Sequence, residues 1–169
     1  GTEFTSSGLQ GGQTIGSVSL SSVGSASGAN VAGSPYAIAA SNATGGTFNA
    51  ANYTISYVNG ALTVDPAALT ITANNASKTY GQTQTFAGTE FASSGLQNGE
   101  SIGSVNLSSA GAVNTASVSG SPYAIIASNA AGGTFNAANY TINYVDGALT
   151  VNPAALTITA NNASKTYGQ

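Results

Sequence analysis

Charge is almost missing from this chain. Of 169 residues, 2 are lysine and 5 are acidic, with no arginine or histidine, for a net charge of −3. Cysteine, methionine and tryptophan are also absent. Each absence removes a class of function. Two lysines cannot build the basic surface that phosphate recognition requires, which argues against nucleic acid as a partner. Without cysteine there is no disulfide framework and no thiol nucleophile. Without histidine, nucleophilic catalysis falls to a Ser–Lys or carboxylate arrangement. Lys78 and Lys165 are the only bases, and each follows a serine, Ser77 or Ser164. Adjacent strand residues point to opposite faces, so that pairing is poor catalytic geometry, and the chain is read as non-enzymatic and cofactor-free. Oxygen sites for calcium need several carboxylates or carbonyls converging on one point. The five acids form no D-x-D cluster, and Asp65 beside Pro66 reads as a turn-forming residue whose counterpart is Asn152. No metal is expected. No apolar run approaches the ~18 residues of a membrane-spanning helix, so no membrane insertion is expected.

What the chain has is repetition. Residues 1–82 return as 88–169 at a constant offset of 87 without a gap, and 17 of the 82 aligned pairs differ. Gly1-Thr-Glu-Phe4 returns as Gly88-Thr-Glu-Phe91, and Ala68 to Gln82 returns unchanged as Ala155 to Gln169. A repeat of this length reads as a tandem array of small domains. The natural seam is Val64-Asp-Pro-Ala-Ala68 and Val151-Asn-Pro-Ala-Ala155. Pro66 and Pro153 mark it as linkers, because proline fixes its own φ and gives no ladder donor. On that phase, 1–66 is a repeat unit lacking its first strand, 67–153 is a complete unit, and 154–169 is the first strand and turn of a third. The expectation is a segment of a longer repetitive polypeptide, its units stacked as a semi-rigid rod. Differences between the copies concentrate between residues 19 and 32 and their partners 106–119, which fits an exposed loop or edge.

The local patterns are those of strands. In Asn52-Tyr-Thr-Ile-Ser-Tyr-Val-Asn-Gly-Ala-Leu-Thr-Val64, Asn59-Gly60 is a favoured two-residue hairpin turn, and Asp146-Gly147 is its counterpart. A two-residue loop sets Val58 opposite Ala61, Tyr57 opposite Leu62, Ser56 opposite Thr63 and Ile55 opposite Val64. Ile55, Tyr57, Leu62 and Val64 then share one face, and the polar residues share the other. Alternation also marks Leu69-Thr-Ile-Thr-Ala73, Ser17–Ser21 and Tyr36–Ala40, with a short strand expected at Thr83–Phe86 and a helical turn at Glu90–Leu96 before an Asn98-Gly99 turn. Nothing shows a convincing 3.6-residue period.

Three phrases carry a family resemblance: Ala68-Leu-Thr-Ile-Thr-Ala-Asn-Asn-Ala-Ser-Lys-Thr-Tyr-Gly81, Gly95-Leu-Gln-Asn-Gly-Glu-Ser-Ile102 and Asn139-Tyr-Thr-Ile-Asn-Tyr-Val-Asp-Gly-Ala-Leu-Thr-Val151. Together they resemble the MBG repeats, of the YGX and YDG type, found in large bacterial surface and secreted adhesin-like proteins. The resemblance covers essentially the whole chain. It implies an all-β domain, β-grasp-like with at most one helical turn, repeated in tandem outside the cell, and it brings no catalytic motif. Gln82 stands where an acidic residue often follows the glycine, which tells against an acidic ion site.

The expected function is structural: a stalk or surface-fibre segment acting as a spacer, its partners being neighbouring repeats of the same or identical chains. The alternative is a self-assembling filament or matrix. Its edge strands carry almost no charge or proline to block pairing, and Leu69 and Ile71, or Leu156 and Ile158, would supply the strand that an incomplete unit lacks. A remoter reading is a carbohydrate-binding module for host or surface glycans with a tyrosine platform, although Tyr53 and Tyr57 share the face of Ile55 and read as packing, which leaves Tyr80 and Tyr167, next to glycine, less constrained. An internal Lys–Asn isopeptide crosslink assisted by a nearby acid would take Lys78 with Glu90 as its candidate pair, but a surface lysine near an acid is the favoured reading. The six N-x-S/T sequons begin at Asn42, Asn52, Asn75, Asn106, Asn139 and Asn162 and matter only in a host that glycosylates.

Overall fold

The computed structural model describes residues 3–169. It divides into two compact units: Gly1–Leu69 with Gly95–Glu100 and Phe135–Ile142, and Thr70–Ser94 with Ser101–Thr134 and Asn143–Gln169. Regular structure is all β. The helical turns among the described residues are three-residue 3₁₀ turns such as Val23–Ser25 and Ala110–Ala112, and no α-helix accompanies them.

The first repeat forms one sheet. Strands β1 (Ile15–Ser21), β2 (Tyr36–Gly46) and β3 (Gly60–Leu62) lie in the order β1-β2-β3. β1 and β2 are antiparallel, with a bulge where the register shifts between Ser17 and Ser19. The same shift recurs in the second repeat between Ser104 and Asn106. A bulge in both copies at matched positions is a built-in bend of the strand rather than an accident. β2 ends at Gly45 and Gly46, both with φ +69, and a Cβ on Gly46 would strike the carbonyl oxygen of Thr14. Only glycine fits that close backbone approach.

The second repeat adds strands that the first does not have. β4 (Ala67–Ala73), β5 (Ala76–Thr79), β6 (Phe91–Ser94), β7 (Ser104–Ser108), β8 (Tyr123–Ala131), β9 (Tyr140–Val145) and β10 (Gly147–Asn152) form two sheets, β6-β4-β9 and β5-β10-β8-β7. β4 runs antiparallel to β6, with Thr70 opposite Ser94 and Ala73 opposite Phe91. β5 runs parallel to β10, with Leu149 opposite Ala76 and Asn152 opposite Thr79. Leu69, Ile71, Val105, Ile125, Leu149 and Val151 are the largest side chains removed from water. These branched aliphatics alternate with Ser, Thr, Asn and Ala facing outward, the pattern of a strand wet on one side.

Three sequence expectations are corrected. The first is the hairpin. β9 and β10 are separated by Asp146 alone, yet β9 pairs with β4 while β10 lies between β5 and β8. None of Asn59, Gly60, Asp146 or Gly147 has the positive φ that a type I′ turn demands. In the first copy Gly60 is a strand residue opposite Ile38. The alternation was legible, because Ile142, Tyr144, Leu149 and Val151 are all less exposed than their neighbours. A chain passing from one sheet to the next keeps the same inward set as a hairpin, so alternation does not separate the two. Second, Phe91–Ser94 within the expected helical turn is β6, since β4 offers it a ladder. The Asn98-Gly99 turn after it is present, with φ +53 and +71. Third, Thr83–Phe86 forms no strand. The main chain there makes the isolated bond Gln84 N–H to Ala112 O, 2.9 Å.

Pro66 immediately precedes β4, and Pro153 immediately follows β10. Both stand where a proline ends ladder pairing.

Candidate functional site

The two repeats are near-identical in sequence and differ in their strands, beginning with the presence of β4 and β5. Leu69 and Ile71 of β4 are 1% and 0% exposed. Their counterparts Leu156 and Ile158, in the same sequence context, are 82% and 87% exposed, and residues 153–169 form no strand. The segments that flank β4 in the second repeat, Phe91–Ser94 and Tyr140–Val145, correspond to Phe4–Ser7 and Tyr53–Val58. In the first repeat neither is a strand.

A groove of about 660 Å³ opens there, lined by Phe4, Ile15, Ile38, Tyr53, Ile55 and Gly60 among others. The glycines of the two copies have different neighbours. A Cβ on Gly95 would run into the carbonyl oxygen of Ala68, in β4, whereas one on its counterpart Gly8 meets nothing within 4 Å. A Cβ on Gly147 would lie 2.7 Å from Ala73 O and 2.8 Å from Asn74 O, while one on Gly60 meets only Ile38, at 3.6 Å. The core follows suit. Val105, Ile125, Leu149 and Val151 are buried, and their counterparts Val18, Ile38, Leu62 and Val64 are only half-buried. Ile55 and Tyr57 are 38% and 41% exposed. The lining mixes Ile, Phe and Tyr side chains with those of Ser and Thr, and brings no cluster of ionisable groups together among the described residues.

The titratable residues serve the fold. Lys78, 5% exposed, lies in β5. Its ammonium donates to the carbonyl of Gln82 at 2.9 Å and to that of Val113. A buried ammonium must be solvated by protein oxygens, and here main-chain carbonyls do it. Glu90 is held elsewhere: its carboxylate accepts from the N–H groups of Ala87 and Gly88 at 2.9 Å and of Thr89 at 3.1 Å. The Ala87 bond, ahead of the others, holds its pKa below the ordinary value, against a burial effect that raises it. Lys78 and Glu90 therefore have separate partners, and the pairing that an isopeptide crosslink would need is not assembled.

The tyrosine hydroxyls are likewise engaged. Tyr57 accepts from Ala43 N–H at 2.9 Å, and its counterpart Tyr144 from Ala130 N–H at 2.8 Å. Tyr53 accepts from Gln10 N–H at 3.1 Å and donates to Gln13. Tyr140 repeats this with Gln97 N–H at 2.9 Å and donates to Glu100, which replaces Gln13, at 2.6 Å. Burial first, and then the Glu100 carboxylate, raise the Tyr140 pKa. Tyr80 and Tyr167 are more open, at 48% and 103% exposure. Two sequon asparagines are in use as hydrogen-bonding groups: Asn75 Oδ1 accepts from Ala148 N–H, 2.8 Å, and Asn139 Nδ2 donates to Asn30 Oδ1, 2.8 Å.

Among the described residues no group of three or more His, Cys, Asp or Glu comes together as a metal site, and no helix is long and apolar enough to cross a membrane. Of the residues singled out from sequence, Leu69 and Ile71 are core, Leu156 and Ile158 are surface, and the groove places Gly60 on its wall. The buried ammonium of Lys78 and the Tyr140–Glu100 pair were not foreseen. The Gln13/Glu100 exchange between copies marks the second but does not disclose its geometry.

No curated protein and no solved structure matches the chain. The family model of the MBG domain (YGX type) matches it over residues 2–63 and 69–150, once per repeat, and the chain belongs to that family.

Proposed function

We propose that these repeats are a structural spacer, part of a stalk or fibre of an extracellular bacterial adhesin, with no catalytic role of their own. The observation that carries this reading is the tandem repetition of one charge-poor β domain at a fixed offset of 87 residues. The side chains that could carry chemistry are spent on its own core and main chain. Lys78, Glu90, Tyr57 and Tyr144 all bond to backbone groups. A module of this kind works through the number of copies and the spacing they set. The linker around Pro66 and Pro153 is short, which restricts the motion of one unit against the next.

The reading also fits the family, a repeat domain of surface-type proteins. Electron microscopy of longer tandem arrays tests it. Beaded particles whose length grows in proportion to repeat number support a spacer. Compact particles of constant diameter contradict it, and glycan-array binding by the isolated repeats would favour a carbohydrate-binding module instead.

A further inference from the structure

We infer that the loop of residues 27–31 is a docking surface for the repeat that follows it in the chain, and that the side chains in which the two copies differ there set which repeat it accepts. The inference rests on reading the chain as a tandem spacer, and it adds a specific side-chain contact to what the short linker does. Both sides of the contact lie in the first compact unit, where Gly1–Leu69 is joined by Gly95–Glu100 and Phe135–Ile142 of the second repeat.

Three hydrogen bonds make the contact. Val31 N–H donates to Asn139 Oδ1 at 3.0 Å. Asn139 Nδ2 donates to Asn30 Oδ1 at 2.8 Å. Asn98 Nδ2 donates to the carbonyl oxygen of Ser27 at 3.1 Å. Both ends of the Asn139 carboxamide are used, which fixes its orientation. Val31 opens the 3₁₀ turn Val31–Gly33, and Asn30 stands at its N-cap. An N-cap asparagine ordinarily satisfies the free N–H groups of its turn with its own side chain, and Asn49 and Asn136 do so in this chain. Asn30 makes no such bond. Its side chain meets Asn139 instead, and Asn139 supplies the oxygen that the Val31 N–H needs. The turn is capped from the next repeat.

The residue types at these places differ between copies. The offset of 87 matches Ser27 with Asn114, Asn30 with Ser117 and Asn98 with Gly11, while Val31 with Val118 and Asn139 with Asn52 are unchanged. Ser117 caps its own turn, accepting from Gly120 N–H at 3.3 Å. A serine hydroxyl in place of the Asn30 carboxamide shortens the reach towards Asn139, and Gly11 has no side chain to donate as Asn98 does. A loop carrying Asn30 therefore selects a tip carrying Asn98 and Asn139 over one lacking them. Every partner is uncharged, so the contact keeps its strength in salt, unlike an exposed ion pair.

The test uses the full 169-residue chain and amide hydrogen exchange resolved by NMR. The Val31 amide should be protected in the wild type at low and at high salt. Asn139→Ala should speed its exchange roughly threefold to tenfold, the local opening expected when one hydrogen bond of ordinary net strength is lost. Ile125, buried in the second repeat, should exchange as before. Asn30→Ser installs the residue of the other copy and should also speed Val31, but should add nothing in the Asn139→Ala background, because the two side chains act through one contact. A Val31 amide that exchanges as an open chain in the wild type overturns the inference. So does a Val31 rate that Asn139→Ala leaves alone, an equal acceleration at Val31 and Ile125, or additive effects of the two substitutions. Beaded arrays whose length grows with repeat number would survive any of those results, so failure of the contact and failure of the spacer are told apart.

Discussion

The α-carbon of Gly147 lies against the main chain of Ala73, so close that a Cβ there would stand 2.7 Å from the Ala73 carbonyl oxygen. The counterpart glycine, Gly60, has no such neighbour, and its closest atom is in the Ile38 side chain at 3.6 Å. Gly147→Ala should therefore destabilise the second repeat by roughly 1–3 kcal/mol, the range for overpacking against atoms that cannot move aside. Gly60→Ala should shift the stability of the monomeric chain by less than about 0.5 kcal/mol. Urea denaturation of the two variants measures the contrast. A type I′ turn at both sites would instead penalise both equally.

Leu69 and Leu156 are a matched pair of another kind, one sequence in two environments. Leu69→Ala should cost about 2–5 kcal/mol, the cost of a core leucine truncated to leave a cavity. Leu156→Ala should leave the thermal midpoint of the dilute chain unchanged. Differential scanning calorimetry reads both.

The Glu90 carboxylate is held below its ordinary value of 4.5, first by the Ala87 N–H and also by those of Gly88 and Thr89. A carboxyl with a lowered folded-state pKa adds stability that is present above its unfolded value and lost as pH falls through the folded one. The chain should therefore lose stability on acidification below about pH 4.5, and Glu90→Gln should flatten that limb while lowering the plateau above it. Denaturant midpoints measured from neutral to acidic pH for both proteins check this. A wild-type curve that is level through the acid range would contradict the hydrogen-bonded carboxylate.

Burial and the Glu100 carboxylate together raise the pKa of Tyr140. Glu100→Gln recreates the Gln13 environment of Tyr53 and should preserve the fold. It should lower the Tyr140 pKa only in part, because burial is the larger cause and remains. Ultraviolet difference titration of tyrosinate formation in both proteins reads the shift. An unchanged Tyr140 titration would remove Glu100 from the account.

Much of this fold was legible in the sequence, for a definite reason. Period-two alternation in Leu69-Thr-Ile-Thr-Ala73 and in Tyr140–Val145 reflects which side chains leave water, and that is a local property of a strand. The partner of each strand is not local. Asp146-Gly147 has the composition of a tight hairpin turn, but β9 finds β4 and β10 finds β5 and β8, so the chain crosses between sheets where a hairpin was expected. Phe91–Ser94 shows the same limit, since its ladder is supplied by a strand some twenty residues earlier.

Hydrogen exchange by mass spectrometry tests the central claim most directly, on the Leu156→Asp/Ile158→Asp chain with and without a synthetic peptide of the 154–169 sequence. Added peptide should protect amides within Phe4–Ser7, Tyr53–Val58 and Gly60–Asp65, and leave the second repeat unchanged. Absence of protection in those three segments, or protection appearing instead in the second repeat, would contradict a repeat whose core requires the strand that β4 supplies in the second.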